Sequence, residues 1–250
     1  PSLDEAEYVQ SLKELDAVTL AQLMRGDWTD PTGNHFYPAL WPRFAFMSDA
    51  YSLGHRPYRE IIIANEVTIL VGIDLALSEE KTADYRSFVA GGLLPDGRVL
   101  ILDVVNERIR LEEIADRLDE FCAKWRPLAV AADDDSIATA MTLEFRRKAH
   151  IPEVQLLPIA GRSKLARATP AIAIAGNKRM YLPESKEVWL DDYCYQLTTF
   201  TGVKDQYDDM VDATGIVARL VNQLKPALSP WDDLPDVLTA PRSTGYLPAY

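Results

Sequence analysis

Runs of apolar residues at strand and helix spacing organise the middle of this chain. Val67–Leu75 (VTILVGIDL) is a short apolar run rich in β-branched residues and reads as a strand. Tyr85–Leu94 and Val99–Val105 follow, separated by the turn signal PDGR. Three strands in succession, two of them tightly joined, predict an antiparallel meander. In 111–125, Leu111, Ile114, Ala115, Leu118, Phe121, Cys122 and Trp125 recur at three- and four-residue spacing, which predicts a helix that Pro127 ends. Leu128–Ala132 reads as a fully apolar strand, Ile137–Lys148 as a helix and Val154–Ile159 as a strand. Three more helical patterns extend to residue 224. This order fits an α/β domain with a central mixed sheet flanked by helices.

The ends differ. Leu3–Leu15 and Ala17–Met24 carry short helical patterns, the second stopped by Gly26. DWTDPTGNHFYPALWPRF follows and reads as loop or linker. Residues 225–250 hold Pro226, Pro230, Pro235, Pro241 and Pro248 without periodicity, and read as an extended tail. The expected division is an N-terminal helical and linker segment (1–57), a central domain (58–224) and a Pro-rich tail (225–250).

Composition narrows the class. The chain has 250 residues, 48% hydrophobic and 26% charged, so it can bury a core. No apolar run reaches the roughly 20 residues of a membrane helix. The N-terminus is acidic and polar, unlike a signal peptide, and lacks Met, which suggests a processed chain or a piece of a longer one. Cys122 and Cys194 form neither a disulfide framework nor a zinc cluster, and His35, His55 and His150 form no HExxH pair. No GxxxxGK[ST] loop is present, so ATP hydrolysis is not expected.

The candidate chemistry lies in carboxylates. Asp74 ends an apolar strand, where a buried carboxylate is costly unless paired or metal-bound. Asp133, Asp134 and Asp135 follow the second apolar strand. Their mutual repulsion invites a cation, although Asp is equally at home as a helix cap. Asp208, Asp209 and Asp212 open the last long helix, whose buried face is set by Met210, Thr214, Val217, Val221 and Leu224. At about 100° per residue, Asp209 borders that face and Asp208 and Asp212 point to solvent. An acid on the first strand, one on the strand after the first helix and one on a late helix can converge on one sheet edge. Such a set suits Mg²⁺ or Mn²⁺.

The segments VGIDLALSEEKTADY (71–85), AVAADDDSIATAM (129–141), GRSKLARATPAIAIAGNKRMYLP (161–183) and DQYDDMVDATGIVARL (205–220) together resemble the nuclease domain of the large terminase subunit of tailed bacteriophages. The resemblance implies an RNase H-like fold, shared with resolvases and integrases. It implies that Asp74, Asp133 and Asp209 are catalytic and hold two Mg²⁺ or Mn²⁺ ions, with Asp208 and Asp134 as further metal ligands and Asp84 and Asp212 as auxiliary acids. Lys164 and Arg167 match a Lys-x-x-Arg-Ala segment that would hold phosphate. The implied activity is cutting of concatemeric double-stranded DNA during genome packaging. The implied partners are the ATPase domain of the full-length large subunit, the portal protein and the small terminase subunit. The expected location is the host cytoplasm, transiently on the procapsid, with no membrane association.

Charge at first argues against a DNA partner. The net charge is −12 and the pI about 4.7. Yet the segment from Arg146 to Arg179 holds eight basic residues and one acid, Glu153. Arg146, Arg147, Arg162, Lys164, Arg167, Lys178 and Arg179 are therefore expected to form one basic track for the DNA backbone. Two other readings fit parts of the sequence. A sugar kinase or actin-like ATPase shares the strand-end Asp, but LALSEEKTAD lacks the glycine-rich phosphate loop. A non-catalytic RNase H-like module docking on DNA or capsid remains the alternative.

Overall fold

The computed structural model describes residues 35–54, 59–75, 85–159, 161–203, 205 and 207–224. The two expected N-terminal helices, the Pro-rich tail and Asp84 lie outside them. Nine strands form one sheet: β1 (Arg43–Phe46), β2 (Ala50–Leu53), β3 (Glu60–Ile63), β4 (Thr68–Asp74), β5 (Tyr85–Leu93), β6 (Val99–Arg108), β7 (Ala129–Asp133), β8 (Val154–Leu157) and β9 (Met180–Pro183). Their order across the sheet is β3-β2-β1-β9-β6-β5-β4-β7-β8. The expected meander β4-β5-β6 is antiparallel. β7 and β8 add parallel to β4 on one side, and β9 adds parallel to β6 on the other.

Among the described residues, five helices cover the sheet: α1 (Ile114–Trp125), α2 (Ser136–Arg146), α3 (Lys164–Gly176), α4 (Leu190–Thr199) and α5 (Asp209–Leu224). Strand alternation sorts the core into two layers. Val71, Ile73, Val130 and Ala132 face α1 and α2, where Leu118, Phe121, Met141 and Phe145 are buried. Leu70, Ala129 and Ala131 face the opposite layer, built by α3, α4 and α5. Among the described residues, no helix is long and apolar enough to cross a membrane.

Four short strands were not anticipated. The stretch expected to be loop contains a 3₁₀ turn at Pro38–Leu40 and the start of β1 at Arg43. Its aromatics are core residues: Phe36 and Trp41 are buried, and Phe36 packs against Phe200 with ring centroids 6.1 Å apart. β2 and β3 pair with each other across the boundary expected at residue 57, so the sheet continues on its N-terminal side. Each of these strands, and β9, has only four residues. That length carries too little alternation to be seen in the sequence.

α5 is buried on all sides from Met210 to Val221. Its backbone lies directly on β4 at Gly72, where a Cβ would sit 2.2 Å from the Ala213 carbonyl oxygen and 2.9 Å from the Val217 nitrogen. Gly215 on the other side of α5 faces α3, where a Cβ would meet the Arg167 carbonyl oxygen at 3.1 Å. Two glycines thus let α5 slot between sheet and α3. Gly72→Ala is expected to destabilise the fold by at least the upper part of the roughly 1–3 kcal/mol typical of overpacking, because backbone cannot move aside. Gly176→Ala, at a helix end with nothing within 4 Å of the new methyl, is expected to be neutral or stabilising by up to about 1 kcal/mol. Urea unfolding of both variants checks the contrast.

Candidate active site

β4 and β7 are adjacent and parallel, with Ile73 in register with Ala132. The next residues, Asp74 and Asp133, therefore end their strands side by side, about 5 Å apart in the sheet. Both continue the alternation of Leu70 and Ala131, so both face the α3–α5 layer. α5 brings its N-terminal turn over them. Its start is held by Gln196, whose Oε1 accepts from the Met210 backbone N–H at 3.0 Å. A buried hydrogen bond between Tyr193 Oη and Thr214 Oγ1 (2.9 Å) ties α4 to α5.

Four carboxylates are enclosed here: Asp74, Asp133, Asp208 and Asp212 are each only 6–7% exposed. This reverses the expected order on the last helix. Asp208 and Asp212 are buried and Asp209 is half-buried. The single-face reading of α5 fails because its other faces are covered by α3, α4 and the sheet edge, leaving no solvated side in its first two turns. Asp134 is exposed, and Asp135 caps α2 by accepting from Ile137 and Ala138 N–H at 2.8 Å each. Asp133 alone of the triplet enters the site.

Three cations close around these acids. Ser163 caps α3, accepting from Ala166 N–H, and the first turn of that helix presents Lys164 and Arg167. Lys164 bonds Asp208 and lies 3.7 Å from Asp212 Oδ2. Arg167 bonds Asp133 Oδ2 and lies 3.7 Å from Asp212 Oδ2. Arg219, two turns beyond Asp212 on α5, bonds the other Asp133 oxygen. Sequence reasoning missed Arg219; an arginine within the apolar pattern of a buried helix was the available signal, since such a charge is costly unless paired.

Burial pushes the Asp212 carboxyl up to about 6; Asp208 and Asp133 act the same way, and Arg167 and Lys164 oppose them. Burial and then the Asp208 charge raise Asp209. For Lys164, burial pulls downward, but Asp208, Asp212 and Asp74 outweigh it and hold the ammonium above its ordinary value.

The expected basic track is divided. Helices that follow parallel strands run back down the sheet, so residues at opposite ends of a helix lie at opposite sheet edges. Arg162, Lys164 and Arg167 stand at the carboxylate end. Arg146, Arg147, Lys178 and Arg179 lie at the other edge. There Arg146 pairs with Glu153 at 2.9 Å, Arg147 with Glu144 at 2.6 Å, and Arg179 with the Asp96 carbonyl in the β5–β6 turn.

The donor set suits a hard divalent cation: carboxylate oxygens only, with the buried Asp212 Oδ1 lacking a hydrogen-bond partner among the described residues. In the present arrangement, no three acidic, His or Cys side chains among the described residues converge closely enough to hold an ion. Lys164, Arg167 and Arg219 engage the acids instead. A raised carboxyl pKa means the folded state binds a proton that the unfolded chain releases. The Asp212 contribution to stability is therefore full below about pH 4 and is lost as pH rises through about 6. In chelator, Asp212→Asn is expected to gain stability relative to the parent more at pH 8 than at pH 5, read from urea midpoints at the two pH values.

The family model for the terminase RNase H-like domain matches residues 71–218, more than half of the chain. The comparison with curated proteins gives no match. Among solved structures, the large terminase nuclease from thermophilic phage G20c with bound zinc aligns at 16% identity and a TM-score of 0.48, covering 75% of this chain and 98% of that one. The large terminase nuclease domain of bacteriophage SPP1 with bound manganese aligns at 15% identity and 0.46, covering 63% and 88%. Thermus thermophilus RuvC aligns at 14% and 0.39, covering 64% and 96%. By the family match, which spans all four buried carboxylates together with Lys164 and Arg167, this chain belongs to the terminase RNase H-like domain family.

Proposed function

We propose that the chain is a divalent-metal-dependent DNA endonuclease of a viral packaging terminase, hydrolysing phosphodiesters of concatemeric double-stranded DNA with two Mg²⁺ or Mn²⁺ ions. The observation that carries this is the enclosure of four carboxylates on two strand ends and one helix start, with Asp212 Oδ1 lacking a hydrogen-bond partner among the described residues. Asp74, Asp133 and Asp212 would hold metal, with Asp208 and Asp209 beside them. Bound metal would supply a water of lowered pKa and charge for the leaving oxygen.

The chain's own cations do the rest. Lys164 stays protonated and acts as a fixed positive charge. Arg167 presents a planar fork suited to phosphate oxygens. Both are paired with acids whose charge a metal would take over, which frees them to meet the DNA backbone as it arrives. The packaging partners (ATPase domain, portal protein and small subunit) and the host-cytoplasmic location belong to the same reading. The alternative, a non-catalytic docking module, draws on the ion pairs that Lys164, Arg167 and Arg219 make with the same acids.

Nicking of supercoiled plasmid separates the two. In Mn²⁺ or Mg²⁺ the parent protein is expected to nick and chelator to stop it, with Asp74→Ala and Asp133→Ala at least about a hundredfold slower. Equal nicking by parent and Asp74→Ala would sink the metal mechanism, and no nicking with either metal would favour the docking module. Among the basic residues, Arg167→Ala is expected to slow nicking while Arg146→Ala and Arg147→Ala leave it unchanged. With only Arg162, Lys164 and Arg167 of the seven expected track residues at the active edge, log affinity for DNA should fall with log salt at a slope of about −3, measured by titration at several ionic strengths.

A further inference from the structure

A second polar feature adjoins the carboxylates and is not needed by them. The strand registers place Asn106 on β6 opposite Ser87 on β5, and Ser87 opposite Asp74 on β4. Directly paired residues share a face, so Asn106, Ser87, Asp74 and Asp133 form one row across four strands on the α5 side. Ser87 Oγ and Asn106 Oδ1 are both buried and have no hydrogen-bond partner among the described residues. Beyond Asn106 the row opens into a pocket of about 380 Å³. Tyr85 and Arg108, the next pair on this face toward the carboxylate edge, line it together with Asn106, Asp192, Tyr195 and Tyr207.

The lining has the chemistry of a nucleobase site. Three tyrosines line it, and the Arg108 guanidinium lies over the Tyr85 ring at 5.1 Å from its centroid. Tyr195 is 62% exposed, so it presents surface to a ligand in the pocket. Stacking platforms of this kind accept any base, because every base has a π-face. Arg108 and Asp192 offset each other, so the lining offers the DNA backbone no net positive charge, and the Asp192 oxygens are acceptors for base amino groups. Asn106 is two strand spacings from Asp74, about 10 Å. That separation suits a nucleotide one or two positions from the phosphate held at the carboxylates.

We propose that this tyrosine-lined pocket takes an unstacked base of the DNA strand lying across the carboxylates, so that the site prefers DNA with an unpaired or frayed nucleotide beside the cut. This rests on the reading of the carboxylates as a DNA-cleaving site. The test compares binding of a blunt duplex with the same duplex carrying one unpaired 2-aminopurine, with Ca²⁺ in place of Mg²⁺ or Mn²⁺, so that the acids are compensated and cutting is suppressed. The parent protein should bind the unpaired form about tenfold more tightly and quench its fluorescence. Tyr195→Ala should lose both effects, and Tyr195→Phe, which keeps the ring, should retain them. Equal binding of the two duplexes by the parent, or an undiminished preference in Tyr195→Ala, overturns the pocket. Plasmid nicking by the same preparations keeps the two readings apart. Nicking without base preference removes the pocket and leaves the nuclease; base preference and quenching without nicking support the pocket and remove the nuclease.

Discussion

The approach of α5 onto β4 at Gly72 is the constraint on which the site depends. An α-helix normally packs on a sheet through side chains from both partners, which hold the backbones apart. Here the Ala213 carbonyl lies where the Cβ of residue 72 would be. That contact sets the height of α5 above the sheet and fixes which turn lies over the ends of β4 and β7. Asp208 and Asp212 are lowered onto Asp74 and Asp133 as a consequence. Gly215 performs the same service on the opposite face of the helix, where α3 carries Lys164 and Arg167.

Four carboxylates in so small a volume cannot all stay charged without compensation. Isolated buried charges are costly, and like charges raise one another's pKa. The fold answers with three cations drawn from two helices, two of them on Asp133 alone. Compensation is incomplete at Asp212, which is pushed up to about 6 mainly by burial. On the proposed function, the same electrostatic deficit that destabilises the folded chain would favour a divalent cation at the cluster. Stability and the proposed metal binding would then pull in opposite directions at this residue.

Parallel strands with returning helices explain where polar groups collect. β4, β7 and β8 all point the same way, and α3 and α5 both begin at the edge where those strands end. Strand-terminal acids, helix-initial cations and the tyrosine pocket share that edge because the connectivity delivers them there. Arg146, Arg147, Lys178 and Arg179 are near Lys164 in the chain but one helix length away in space, about 16–20 Å. Clustering along the sequence overstated the size of the basic surface for this reason.

The sequence by itself determined the alternation of strands and helices from residue 67 onward and the strand-end positions of Asp74 and Asp133. An apolar run that stops at a carboxylate is a local signal, and a strand has only two faces to choose between. The cap role of Asp135 was also within its reach. Only the tertiary structure decided which acids of the last helix turn inward, because a helical wheel assumes one buried face and α5 is enclosed on all of them. It alone revealed Arg219 as a partner of Asp133 across 86 residues of chain. It alone placed Asn106 and Ser87 in line with Asp74, since register between strands is set by pairing across the sheet. Local pattern encodes elements and their ends; convergence of distant side chains depends on packing distances, and here two glycines set them.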